Sequence, residues 1–162
     1  MVMIEIMDVI RQNNKTNTHM VSSIASTGRN ILQPSIVEMH TTSLEWLSAL
    51  KLWKKEVQFF QKLLDQHTSQ ISNLEIKKQV DHFQHLITYY GGELISVLRK
   101  KLHQHEKNLV QMLKESDDTE TGYYYEHKAM IEELEAFRKT FYQFKHDYIE
   151  FIEHGFSPYS LK

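Results

Sequence analysis

The feature that most constrains the fold is an apolar pattern in the last third of the chain, where the spacing alternates between three and four residues without an error. Such spacing places the side chains on one face of an α-helix and is typical of helices that pack side by side as in coiled coils. The pattern predicts a long helix that begins near Tyr123 and is ended by Gly155 and Pro158. Its members are His127, Met130, Leu134, Phe137, Phe141, Phe144, Tyr148 and Phe151.

An earlier segment carries the same alternation and predicts a first long helix that begins at about residue 34 or 42 and ends near 67. Pro34 suits a first helical turn, and Ser35-x-x-Glu38 and Thr42-x-x-Glu45 both have the capping-box spacing. The apolar series comprises Ser43, Trp46, Leu50, Trp53, Val57, Phe60, Leu64 and His67.

A third series lies between these two and predicts a second long helix that starts after a capping box at Ser72-x-x-Glu75. Gly91 and Gly92 interrupt the series without changing its phase, so we expect a continuous helix, with a kink or a break into two helices as the alternative. A four-residue shift of the stutter type then follows Val97. The series runs through Asn73, Ile76, Val80, Phe83, Ile87, Tyr90, Leu94 and Val97, and then through Leu98, Leu102, His105, Leu109 and Met112.

The predicted fold is therefore all-α, an antiparallel bundle of three long helices, or four if the glycine pair breaks the second. The chain has 162 residues, enough for one domain with a real core, and only five glycines and two prolines to make turns. We assign residues 34–156 to the bundle. Residues 1–33 form a loosely ordered N-terminal arm, either disordered or docked on the bundle, and residues 157–162 form a C-terminal tail.

Composition excludes several classes of function. Cysteine is absent, which removes disulfides, thiolate metal sites and cysteine nucleophiles. The net charge of −2 argues against a nucleic-acid partner, and the absence of an apolar run of about 20 residues argues against a membrane-spanning protein. We find no signal-peptide pattern, phosphate-binding glycine loop, G-x-S-x-G or HExxH. The sequence thus favours a cytoplasmic protein and leans against an enzyme without deciding the question.

Ten histidines raise the question of a metal site. In residues 102–109, LHQHEKNL, two histidines and a glutamate lie within four positions. Turns centred near residues 69–70 and 119 would bring a second carboxylate–histidine pair level on facing helices, and imidazole and carboxylate groups that converge in this way suit iron, zinc or manganese. The alternative is that these residues only set helix register or face solvent. The candidate ligands are Glu56, His82, His103, His105, Glu106, His127 and Glu133.

In architecture and residue type, this pattern resembles the ferritin-like and haemerythrin-like helical bundles. The resemblance covers roughly Pro34 to His154 and implies a bundle that binds iron or a similar ion through histidine and carboxylate side chains. It does not include a complete family motif. His103-x-x-Glu106 reverses the Glu-x-x-His order of ferritin-like sites, and His146-x-x-x-Glu150 matches one haemerythrin-like spacing on a helix where that pattern does not place it. No ligand assignment follows from the resemblance.

Two exposed groups of residues predict an interaction surface. Basic residues of the second and third helices come level and would accept an anion or an acidic partner, unless they simply face solvent. Three consecutive tyrosines at a helix start cannot all face the core, which makes them a plausible partner contact. The candidate interaction residues are Arg99, Lys100, Lys101, Arg138, Lys139, Tyr123, Tyr124 and Tyr125.

Three functions are consistent with these observations. The first is a non-enzymatic helical bundle that acts through its surface in association with a protein partner or as a homo-oligomer. The alternative is a histidine–carboxylate metal-binding bundle that holds iron or zinc. A third is a pH-responsive module, because buried histidines that titrate near neutrality would destabilise the fold between about pH 7 and pH 5.

Overall fold

The computed structural model describes residues 34–69, 71–115 and 120–155, and within these ranges the chain forms three long helices and no strand. The all-α prediction is confirmed. The predicted arm and tail, residues 1–33 and 157–162, lie outside the described residues. Helix α1 is Ile36–Thr68; α2 consists of Leu74–Thr88, a π-helical segment Tyr89–Leu94 and Ile95–Glu115; α3 is Glu120–Gly155.

Local sequence signals fix the starts of α1 and α2. Ser35 caps α1 in a full capping box: its hydroxyl accepts from the backbone N–H of Glu38, whose carboxylate accepts from the backbone N–H of Ser35 at 2.7 Å. At α2 the predicted cap, Ser72, is one residue too early. Asn73 is the cap, and its side-chain oxygen accepts from the backbone N–H of Glu75 at 2.9 Å.

An aromatic core joins the three helices along most of their length. Nearly all members of the predicted apolar series in α1 and α3 are buried, and Leu50, Leu134, Phe141 and Tyr148 are fully inaccessible. The hydroxyl of Tyr148 donates to the backbone carbonyl of Phe60 at 2.6 Å, which ties α3 to α1 in the middle of the core. Within the described part of the chain, no helix has both the length and the apolar composition needed to cross a membrane.

The glycine pair produces neither a turn nor a break. It lies in the π-helical segment, where Gly91 comes so close to α1 that a Cβ atom at this position would lie 2.6 Å from Cγ1 of Val57. A π-helical turn holds an extra residue, so the apolar phase shifts inside this segment and not after Val97 as predicted. Val97 is 46% exposed, and Ile95 and Leu98 are buried in its place.

The register between α1 and α2 also differs from the prediction. The side chains of Gln61 and Gln84 exchange two hydrogen bonds of 2.8 and 2.7 Å, and Val57 packs against Gly91, so Glu56 is not level with His82. The turn lies later in the chain than predicted because α1 continues to Thr68 and α2 begins only at Leu74. Ile71, between the two helices, is buried and anchors this longer connection to the core.

Candidate functional site

A cluster of buried polar side chains lies where the beginning of α1, the end of α2 and the beginning of α3 meet. All of its members are 5% exposed or less. Buried ionisable residues are uncommon unless they are paired or functional. The buried polar cluster consists of His40 from α1, His105 and Glu106 from α2, and Tyr123 and His127 from α3.

One pair in the cluster links α1 to α2. Nδ1 of His40 lies 2.5 Å from Oε2 of Glu106, and each side chain is 4% exposed. At this separation the two atoms form a hydrogen bond. The pair therefore satisfies one atom of each side chain away from water.

A second pair links α2 to α3. Nε2 of His105 lies 3.0 Å from Nδ1 of His127, which requires one nitrogen to donate and the other to accept. The phenol ring of Tyr123 stacks on the imidazole of His105, with ring centres 4.3 Å apart and planes 7° from parallel. His105 and Glu106 are adjacent in the chain, so their side chains leave α2 in different directions and contact different helices. The backbone of α2 therefore links the two pairs.

Several buried atoms of this cluster have no hydrogen-bond partner within the described ranges. Nε2 of His40, Oε1 of Glu106 and the hydroxyl of Tyr123 are all inaccessible and unpartnered. Ser43, one turn after His40 on α1, has a hydroxyl in the same state. Leaving such atoms unsatisfied costs about 1–3 kcal/mol each, so their concentration at one end of the bundle requires a physical explanation.

Burial also shifts the titration of the cluster. It lowers the pKa of His105 to about 4, with a further contribution from the neighbouring His127, and it lowers the pKa of His127. Both imidazoles are consequently neutral near pH 7 and retain a lone pair that can bind a metal ion. Burial, followed by the negative charges of Glu106 and Glu126, raises the pKa of Tyr123 above its usual range, so its phenol stays neutral.

The cluster is reached from the surface through an open groove between α2 and α3. This groove has a volume of about 440 Å³, and the imidazole of His105 lies at its floor beside Met130. Glu126, Glu133 and Lys101 also line it, and Lys101 pairs with Glu133. Glu126 is therefore the one carboxylate of this groove whose charge no lysine of the lining neutralises.

The structure brings together three of the predicted ligands, His105, Glu106 and His127. It adds His40, which was not among the predicted ligands. The sequence contains a pattern that predicts burial of His40, because this residue lies three positions before Ser43 and extends the first apolar series by one step.

The other four predicted ligands lie elsewhere. His82 and His103 are exposed, and Glu133 is a half-exposed partner of Lys101 at 2.5 Å. Glu56 is partly buried, as expected, yet its cation is Lys145 of α3 at 3.0 Å and not His82. The separation of Glu56 from His82 follows from the register of α1 against α2, because the turn between these helices lies later in the chain than predicted.

The predicted basic patch does not hold like charges face to face. Lys101 pairs with Glu133, and Arg138 pairs with Glu135 one turn earlier on α3 while its guanidinium lies 5.7 Å from the ring centre of Trp46. Lys100 and Lys139 are exposed, and Arg99 is partly buried. Neutralisation by these acids leaves less charge for an anionic ligand than the sequence analysis expected.

The three tyrosines at the start of α3 have different environments. Tyr123 is buried in the polar cluster, so its assignment to a partner surface is wrong. Tyr124 packs on the small core formed by Met39, Leu109 and Tyr123, and Tyr125 is 62% exposed.

A second apolar surface runs along α1 and α3, and we call it the α1–α3 face. It consists of four half-exposed side chains: Leu52 and Phe59 on α1, and Tyr142 and Ile149 on α3, which are 55%, 60%, 53% and 50% exposed. Two grooves of about 530 and 450 Å³ lie along this face, the first lined by Trp46 and Trp53 and the second by Phe60.

Within the described ranges, one set of three potential ligands has donor atoms within 4.8 Å of one another, and it lies on the surface of α3. It consists of His146, Asp147 and Glu150, and all three side chains are exposed. Neighbouring polar residues on a solvated helix commonly adopt this spacing. The set includes the His146-x-x-x-Glu150 spacing noted in the sequence, remote from the buried polar cluster.

Comparison of the chain with models of protein families, with curated proteins and with solved structures gives no match. The functional argument therefore rests on the geometry of the described residues.

Proposed function

We propose that this protein is a metal-binding helical bundle and that its buried polar cluster holds a divalent first-row transition ion, with iron or zinc as the principal candidates and manganese as a third. The observation that carries the proposal is a set of inaccessible atoms on His40 and Glu106 that have no partner among the described residues, next to the neutral imidazoles of His105 and His127. These four side chains come from three helices, so the folded chain gathers them without a loop.

The donor types fit such an ion. Three imidazoles and one carboxylate form a nitrogen-rich set of the kind that zinc and iron bind in proteins, and the absence of cysteine leaves histidine as the softest strong ligand available. Glu106 contributes a negative charge that offsets part of the charge of the ion. The phenol of Tyr123 stays neutral and can donate a hydrogen bond to a ligand oxygen.

One observed separation is close to that of a metal site, and a side-chain movement would have to bring the other donors in, because no three donor atoms of the cluster lie within 4.8 Å of one another. Two imidazole nitrogens bound to one tetrahedral zinc ion lie about 3.4 Å apart, given zinc–nitrogen bonds of about 2.1 Å. The nitrogens of His105 and His127 are 3.0 Å apart, so a small outward movement would allow both to bind the same ion. An ion in this position would take the place of the proton between the two nitrogens, and that proton would move to the other nitrogen of its own ring. Because both imidazoles must be neutral to bind the ion, binding is expected to weaken at acid pH.

A purely structural role in fixing helix register explains the cluster less well. Buried polar residues that fix helix register need each of their polar atoms to be paired, because an unpaired atom destabilises the correct and the incorrect register alike. The cluster leaves atoms of His40, Glu106 and Tyr123 unpaired. A bound ion would supply the missing partner for the nitrogen and the carboxylate, and would provide Lewis acidity or, in the case of iron, one-electron chemistry.

Thermal unfolding of the full chain tests this proposal. Protein treated with a chelator is expected to melt at a lower temperature than protein given zinc, ferrous or manganous ion. At an ion concentration of about 100 times Kd, the gain is about 2.7 kcal/mol, or roughly 5–10 °C. Glu106→Gln keeps the shape of the side chain but removes its charge, so it should reduce this gain while circular dichroism shows an unchanged helix content.

His82→Ala is the matched control, since this histidine was a candidate ligand by sequence and is exposed in the structure. It should retain the full response to the ion. If none of the three ions raises the melting temperature of the wild-type protein, or if Glu106→Gln and His127→Ala respond as the wild type does, the metal assignment is wrong.

A further inference from the structure

The α1–α3 face has a regular pattern that the metal site does not explain. Leu52 and Phe59 are seven residues apart on α1, and Tyr142 and Ile149 are seven residues apart on α3. A seven-residue spacing returns to the same side of a helix after two turns, so each helix presents its pair in one straight row. Lys145 of α3 reaches Glu56 of α1 at 3.0 Å between these rows, which places the two pairs side by side.

The face has the size of the largest apolar patch on a typical monomer, and such patches are often functional. Half-exposed side chains of this size each leave about 100 Å² accessible, so the four together expose on the order of 400 Å². The two flanking grooves, of about 530 and 450 Å³, are deep enough for side chains of a facing helix to enter. A row of apolar side chains beside grooves is the arrangement required for packing between helices of two chains.

The charges along the face are complementary to those of an inverted copy. Glu45, seven residues before Leu52, lines the groove at one end, and Lys55 lines the groove at the other end. Neither residue forms an ion pair with another residue in the ranges that the structure describes. A twofold axis across the face brings the acidic end of one copy towards the basic end of the other, as an isologous dimer interface requires.

We propose that the α1–α3 face is the surface through which two copies of this chain associate as an antiparallel dimer. A dimer interface buries about 800 Å² on each partner, which the four apolar side chains and their polar rim can supply. Association of this kind requires no enzymatic chemistry, and it gives the protein a role in assembly that is independent of any bound ion. The buried polar cluster lies at one end of the bundle and stays accessible through the α2–α3 groove.

The oligomeric state of the full chain in solution tests the proposal, by light scattering or sedimentation over a concentration range from about 5 to about 500 µM. We expect a dimer whose population rises with concentration and does not change when a chelator is added. Phe59→Glu and Ile149→Glu each place a charge in the interface and should yield a monomer with unchanged helix content.

Val97→Glu is the control, because Val97 is a half-exposed apolar residue of α2 that lies away from this face. It should dimerise as the wild type does. A wild-type protein that is monomeric at every concentration would overturn the proposal. So would a Phe59→Glu variant that still dimerises, or a monomer that dimerises only after residues 1–33 are removed, since the face would then belong to the N-terminal segment. A dimer that dissociates in chelator would separate the two proposals, supporting the metal site while contradicting this interface.

Discussion

Nδ1 of His40 lies 2.5 Å from Oε2 of Glu106, and both side chains are almost completely buried between α1 and α2. The two residues are 66 positions apart in the chain, so the contact exists only in the folded bundle. Each residue also has a second polar atom that finds no partner in the part of the chain that the structure describes. In this pair, one polar atom of each side chain is hydrogen-bonded and the other is not. Such a pair is expected of a site that binds an additional ligand.

The His40–Glu106 pair should show strong coupling in a double-mutant cycle. His40→Ala and Glu106→Ala should each reduce the free energy of unfolding by about 3–5 kcal/mol, because each leaves the other group buried without its partner. His40→Leu combined with Glu106→Met should cost less than the sum of the two corresponding single changes. Urea unfolding followed by circular dichroism measures these values. Additive costs would contradict the pairing.

Chelator-treated protein should lose stability as the pH falls from about 6.5 to about 4. The pKa of His105 is depressed in the folded state to about 4 from 6.5, and that of His127 is also lowered, so the unfolded state binds protons first. No stability is lost above pH 6.5 from this cause. Below it, each neutral buried histidine reduces the free energy of unfolding by up to about 1.4 kcal/mol per pH unit.

Unfolding free energies measured at several pH values, for the wild type and for His105→Phe, test this linkage. The variant removes one titrating group from the contacts with His127 and Tyr123 and should flatten the dependence. If the wild-type value is constant between pH 6.5 and pH 4.5, the two imidazoles are not buried in their neutral form.

The two glycines of the π-helical segment should respond in opposite ways to alanine. Gly91→Ala places a methyl group 2.6 Å from Cγ1 of the buried, β-branched Val57 and should destabilise the protein by about 1–3 kcal/mol. A Cβ atom on Gly92 meets nothing within 4 Å, so Gly92→Ala should be neutral or stabilising by up to about 1 kcal/mol.

Thermal melts of the two glycine variants provide the comparison, and the added change Val57→Ala provides a check. Val57→Ala alone removes core volume and destabilises, whereas in the Gly91→Ala background it should cost less because it makes room for the new methyl group. Equal effects of the two alanine substitutions would show that the close approach of α2 to α1 at Gly91 is absent.

The hydrogen bond between α3 and α1 in the main core gives a further test. Tyr148→Phe removes the hydroxyl that donates to the carbonyl of Phe60 at 2.6 Å and should reduce the free energy of unfolding by about 1–2 kcal/mol. Tyr142→Phe is the control, because Tyr142 is 53% exposed and its hydroxyl makes no protein hydrogen bond within the described residues. A similar cost for both variants would contradict a specific role for the buried hydroxyl.

Most of the fold was predictable because its helices carry regular apolar series. The series of α3 is buried throughout its middle, and Ser35 caps α1 as its sequence predicts. The register of α1 against α2 was not predictable in the same way. It depends on where the turn falls between two helices and on the extra residue of the π-helical segment, and both are set by tertiary packing at Ile71 and Gly91.

The same register error explains which site residues were found. Residues on a series, such as His105 and His127, were expected to face inward and are buried. Glu106 was identified because it lies beside two histidines in the chain, and its partner His40 was missed because a shift between α1 and α2 moves each residue of one helix past its true neighbour. His82 was included because the predicted register placed it level with Glu56.

Elemental analysis of untagged protein purified without chelator is the decisive test of a metal ion held by His40, His105, Glu106 and His127. We expect iron, zinc or manganese at close to one ion per chain in the wild type and in His82→Ala, and loss of that ion in His127→Ala and Glu106→Gln. Folded wild-type protein that contains none of these ions, and still contains none after incubation with each of them, would contradict the metal assignment.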